Sequence, residues 1–103
     1  MSDWKPSAGT FTDIKTYYET KDRAKLERFL RLVHDHFKEM NVDTMDPKDR
    51  IGRNEAVMVT REWIRRIKEN GHDKEWLAKR EDEFMEAMHS LWTVLKKTPS
   101  LAS

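Results

Sequence analysis

Six apolar side chains between residues 26 and 40 constrain this chain more than any other feature of it. Leu26, Phe29, Leu30, Val33, Phe37 and Met40 are separated by 3, 1, 3, 4 and 3 residues. At about 100° per residue those gaps set all six on one side of an α-helix. A β-strand would send alternate members to opposite faces. Such a helix needs other apolar faces to bury it, and 103 residues suit one core rather than two.

The rest of the chain supplies those faces as helices. Only 3 Gly and 3 Pro occur, too few for the turns of a sheet-rich domain. The expected fold is all-α: three main helices, a short N-terminal helix and a flexible arm. Residues 1–10 read as the arm, 11–98 as a single helical domain and 99–103 as a frayed tail. Thr10 or Thr12 caps the short helix, which runs through Tyr18. Thr20 or Asp22 caps the second, from Arg23 to Met40. Asp46-Pro47 opens a short helical turn that Gly52 breaks or bends. Asn54 caps the third helix, which stops at Asn70-Gly71. Asp73 caps the fourth, which reaches about Lys97 before Pro99. Only His72 lies between that stop and that cap, so helices three and four form an antiparallel pair covered by helix two. The expected core is Leu26, Leu30, Val33, Phe37, Val59, Trp63, Ile67, Leu77, Phe84, Met88, Leu91 and Leu95.

Composition removes several classes of protein. The chain has no cysteine, which excludes disulfide scaffolds and thiolate metal sites. No apolar run approaches the roughly 20 residues of a membrane-spanning helix. The N-terminal "MSDWKPSAGT" has no apolar core of a signal peptide. A soluble, cytoplasmic protein without a membrane partner is expected. The net charge of +1 points to neither nucleic acid nor a lipid surface. It hides an asymmetry, however. Residues 48–68 hold seven cations against three anions, and residues 73–89 hold three cations against six anions. Within one molecule this polarity favours the antiparallel pair; between molecules it favours contact of unlike patches.

The stretch "REWIRRIK", residues 61–68, concentrates the positive charge. Arg61, Arg65 and Lys68 recur at i, i+4 and i+7, opposite Trp63, which belongs to the apolar face. Glu55, Glu62 and Glu69 form a stripe beside them, and Glu62–Arg66 and Arg65–Glu69 are expected ion pairs. The bland reading is a solvated helix back. The functional reading is contact with nucleic acid or an acidic partner through Lys48, Arg50, Arg53, Arg61, Arg65 and Lys68. A positive stripe without stacking aromatics reads no base sequence.

Other chemistry-bearing residues are weaker signals. Glu86 and His89 form one Glu-x-x-His where a di-metal bundle needs two, and Glu86 points away from the apolar arc. His34 and His36 lie at opposite edges of the arc of helix two, too far apart to share an ion. No nucleophile, base and orienting residue converge in the sequence, so no enzyme, metal or cofactor is expected. Glu81 falls inside the apolar arc of helix four, where a carboxylate needs a partner; Arg23 and Arg53 are candidates.

The apolar arc of helix four spans about half its circumference, wider than two neighbours cover. Trp4, Tyr17, Tyr18, Trp76, Met85 and Trp92, with Glu81 as a polar point, therefore form the expected partner interface. Leu32 and Met58 also fall off their helices' core arcs. The expected function is a non-enzymatic protein-interaction module that binds a protein partner or itself, as adaptor, inhibitor or assembly component. The alternative is a nucleic-acid-binding accessory protein that uses the stripe from 48 to 68.

Overall fold

The computed structural model describes residues 4–97. Five α-helices follow one another: α1 (Ala8–Glu19), α2 (Arg23–Lys38), α3 (Pro47–Asn70), α4 (Lys74–Lys79) and α5 (Glu81–Lys97), with a 3₁₀ turn at Val42–Thr44. No strand occurs among the described residues. The tail expected to fray, 99–103, and the first three residues of the expected arm lie outside the described residues.

Neighbouring helices close a ring in the order α1, α2, α3, α5 and back to α1, with the most extensive contact between α2 and α3. Each neighbour runs opposite to the next. Tyr17 of α1 meets Phe29 of α2. Arg23 and Arg53, at the starts of α2 and α3, reach carbonyls at the far end of the other helix. Trp63 of α3 meets Phe84 of α5, and Tyr18 of α1 stacks on the same Phe84. The result is an up-down-up-down four-helix bundle. The all-α bundle expected, three main helices preceded by an N-terminal helix, is the one that forms, with a full wall supplied by α1. Its Ile14 and Tyr18 are wholly buried.

Periodicity located the core. Every residue of the expected core is buried except Val59, which is partly buried; Ile14, Tyr18, Met45, Ala56 and Thr60 complete it. Asp22 and Asp73 cap α2 and α4 as expected, accepting from the amides of Lys25 and of Glu75 and Trp76. The start of α1 differs. Ala8, Gly9 and Thr10, assigned to the arm, are helical, and Thr10 is no cap. Its hydroxyl reaches back to accept the Ser7 amide at 3.1 Å, which satisfies a donor that the helix itself leaves unpaired. Trp4 is half-buried, with its ring edge-on to His36.

Gly52 does not break α3, which continues from Pro47 to Asn70. It faces α5, where an added Cβ would stand 3.4 Å from Val94. That is ordinary van der Waals contact, so helix propensity decides the effect of a substitution. Gly52→Ala should stabilise the protein by roughly 0.5–1 kcal/mol, read as a higher urea midpoint with an unchanged m-value. A loss of stability would show that α5 cannot yield at Val94.

The expected fourth helix is in fact two. The ladder breaks at Arg80, whose amide bonds the Leu77 carbonyl at 3.2 Å, and α5 begins with Phe84 bonding to the Arg80 carbonyl. The cause lies 59 residues away, where Tyr18 donates its hydroxyl to the same Leu77 carbonyl at 2.5 Å. A side chain inserted into the helical ladder is a known origin of a kink. The break also resolves Glu81. On an unbroken helix it would sit in the core; as the first residue of α5 it is only half-buried, at an N-terminus that favours negative charge. Neither expected partner pairs with it, since Arg23 and Arg53 are spent on helix ends.

Candidate interaction surface

The residues expected at an interface are scattered around the bundle and mostly engaged within it. Tyr18 is not surface at all: it is fully buried, and burial, then the Glu81 carboxylate, push its phenol up to about 12. Tyr17 packs on Phe29 beneath the Lys25 ammonium. Trp76 meets the edge of Trp63 with Arg80 over its ring. Met85 and Trp92 are brought together in a shallow groove of about 370 Å³ between α1 and α5, where Trp92 contacts Phe11. The wide apolar arc of α5 is thus covered by a third neighbour, α1, which sequence reasoning undervalued.

The exposed apolar surface lies elsewhere. Met58 is 69% and Ile51 59% exposed, and no other large apolar side chain among the described residues is so open. Seven residues apart on α3, they share one stripe. Met58 borders a groove of about 450 Å³ between α3 and α5, lined also by Val59, Trp63 and Ala87. The sequence pattern puts Met58 off the core arc but misses Ile51, because the expected helix begins after Gly52. Carried back to Pro47, the same periodicity would have found both.

Carboxylates edge this groove. Arg66 lies over the Trp63 ring, bridges to Glu83 across the groove at 2.7 Å and bonds Glu62 at 3.1 Å. Arg65 binds Glu62 and Glu69. Both expected ion pairs of α3 therefore form. The hydrogen bond from Arg65, then that from Arg66, hold the Glu62 carboxyl below the usual range. Glu55 and Glu86 are exposed and take no part in these pairs. The α3/α5 face is acidic around an apolar centre.

The adjoining α2/α3 face has the opposite sign. Arg23 and Arg53 fix the pairing of these helices, so Arg31 of α2 falls beside Arg61 of α3, Arg23 beside Lys68 and Lys38 beside Arg53. Arg50 brings the cations to seven, of which Arg31 is paired with Glu27 at 3.1 Å. The flank of a helix pair ordinarily carries opposite charges. Here the facing side chains are alike.

Not every cation expected at a nucleic-acid contact is free. Arg53 donates to the Phe37 and Lys38 carbonyls at 2.9 and 2.7 Å. Arg50 donates to the Met45 carbonyl, and Arg65 is held by its glutamates. Arg61 and Lys68 remain exposed on the α2/α3 face, and Lys48 points to the other side of α3.

Among the described residues no three His, Asp or Glu side chains converge as metal ligands, and Glu86 and His89 are both exposed. His34 and His36 are half-buried at the two edges of α2; burial, then the Lys5 cation, lower the pKa of His36. No helix of the described chain is long and apolar enough to cross a membrane. Comparison with protein-family models, curated proteins and solved structures finds no match for this chain.

Proposed function

We propose that this chain is a non-enzymatic protein-interaction module that binds through the α3/α5 face and serves as an adaptor, inhibitor or assembly component. One observation carries the reading: Met58, 69% exposed, lines a groove together with Trp63, and Ile51, 59% exposed, lies two turns away on the same stripe of α3. Exposed apolar side chains clustered at a groove with a polar rim are how partner surfaces differ from ordinary surface. The groove's glutamates support binding rather than chemistry, because Arg65 and Arg66 already hold Glu62 and Glu83 in ion pairs. We assign the protein to the cytoplasm on composition alone, since a cysteine-free chain suits a reducing compartment.

The test is affinity capture from the native host with the full chain and with Met58→Glu, each with and without nuclease. A partner retained by the wild type, resistant to nuclease and lost with Met58→Glu supports the reading. Capture indifferent to Met58→Glu contradicts it. Capture abolished by nuclease would favour the nucleic-acid alternative.

A further inference from the structure

We infer that the acidic α3/α5 face binds the basic α2/α3 face of a second copy of this chain, head to tail. This rests on the proposed role of the α3/α5 face and names its occupant. The two faces meet along α3 and carry opposite sign. Like charges set side by side across the α2/α3 flank repel one another in the isolated molecule, and an anionic surface laid over them removes that cost. The α3/α5 face is such a surface, with Glu55 and Glu86 exposed and outside the ion pairs of the described residues.

Apolar contact matches as well. Val57 and Ile64, half-buried between the cation rows, offer a patch for the exposed Met58 and Ile51 of the next copy. Among the described residues the basic face has no exposed aromatic ring between its cations, so it offers no platform for stacking bases. An apolar strip flanked by cations instead suits an apolar ridge flanked by carboxylates. Because the two faces are different patches, the contact is heterologous. A head-to-tail pair keeps one face of each kind free, and the assembly grows until it closes into a ring or continues as a chain.

Two blocked variants isolate the contact. Arg31→Glu/Arg61→Glu spoils the basic face and leaves the acidic one. Glu55→Lys/Glu86→Lys does the reverse. All four side chains are exposed, so each variant should keep the wild-type circular dichroism. In sedimentation equilibrium the wild type should grow past a dimer with concentration and dissociate with added salt. Each variant alone should associate roughly tenfold or more weakly. An equimolar mixture should recover association well beyond either variant alone, since the intact faces are opposite in sign and so are the two reversed ones.

A wild type that stays monomeric at near-millimolar concentration overturns the inference. So does a mixture that stays monomeric while the wild type associates. Submicromolar binding of a random DNA duplex at physiological salt, with a log–log salt slope near −0.9 per phosphate contact and lost in Arg31→Glu/Arg61→Glu, would give the basic face to nucleic acid instead. If self-association fails while Met58→Glu still abolishes capture, another protein fills the groove: the inference falls and the proposed function stands.

Discussion

Replacing Tyr18 by Ala should cost roughly 3–5 kcal/mol, a third or more of the total stability of an ordinary small domain. The ring is fully buried and stacked on Phe84, with centroids 4.3 Å apart. Removing it opens a cavity at the meeting point of α1, α4 and α5. Tyr18→Phe separates ring from hydroxyl. It keeps the stack and leaves the Leu77 carbonyl only its bond from the Arg80 amide, so the expected loss is about 0.5–1.5 kcal/mol. Urea denaturation of the three proteins measures both.

The same hydroxyl sets a pH dependence. Its folded pKa, pushed up to about 12 by burial and then by Glu81, lies above the ordinary value of 10.0. The folded protein therefore keeps a proton that the unfolded chain releases, and stability falls as pH rises from 10 to 12. The full effect is roughly 2–3 kcal/mol, present below pH 10 and absent from Tyr18→Phe. Equal alkaline slopes for wild type and Tyr18→Phe would show that Tyr18 is not what fails.

Arg53 and Arg23 carry the second large effect. Each stands near the start of one helix and satisfies the last carbonyls of its antiparallel neighbour. Arg53 bonds Phe37 and Lys38; Arg23 bonds Ile67 at 3.3 Å and Lys68 at 2.8 Å. A helix C-terminus presents unpaired carbonyls and the negative end of the dipole, so a guanidinium fork fits both needs. Arg53→Met should cost about 1–3 kcal/mol, since hydrogen bonds from charged donors are the strong ones. Arg23→Met should cost less, because its guanidinium is more open to water. The two sites are separated by most of the length of α2, about 20 Å at 1.5 Å per residue. Their effects should therefore add in the double variant. Arg53→Lys should recover little, because one ammonium cannot reproduce the fork. Stability of Arg53→Met equal to wild type in urea would show that water caps α2 equally well.

These two features mark where the sequence stops being legible. The periodicity of Leu26 through Phe37 and of Phe84 through Leu95 is local, and local patterns locate α2 and nearly all of the core, though they run α4 and α5 together. The Asp22 and Asp73 caps act within three residues and were equally readable. Tyr18 reaching Leu77, and the two arginines reaching each other's helix ends, join residues that only the assembled bundle brings together. No spacing rule signals them. Gly52 misled because its propensity is weak beside the packing of α3 against α2 and α5. That error concealed Ile51 and, with it, the stripe it forms with Met58. The surplus aromatics point toward an interface only while α1 counts as a minor helix; α1 covers much of that surface itself.

The most direct measurement of the interaction face is a methyl NMR spectrum of the full chain, recorded from low micromolar to near-millimolar concentration. Met58 and Ile51 methyl signals should shift or broaden as concentration rises and return with added salt. Met85 and Met88, on the α1/α5 side, should stay in place. Met58 and Ile51 signals that hold still while those of Met85 and Met88 move would put the contact on the α1/α5 side, and the α3/α5 face would not be where this protein binds.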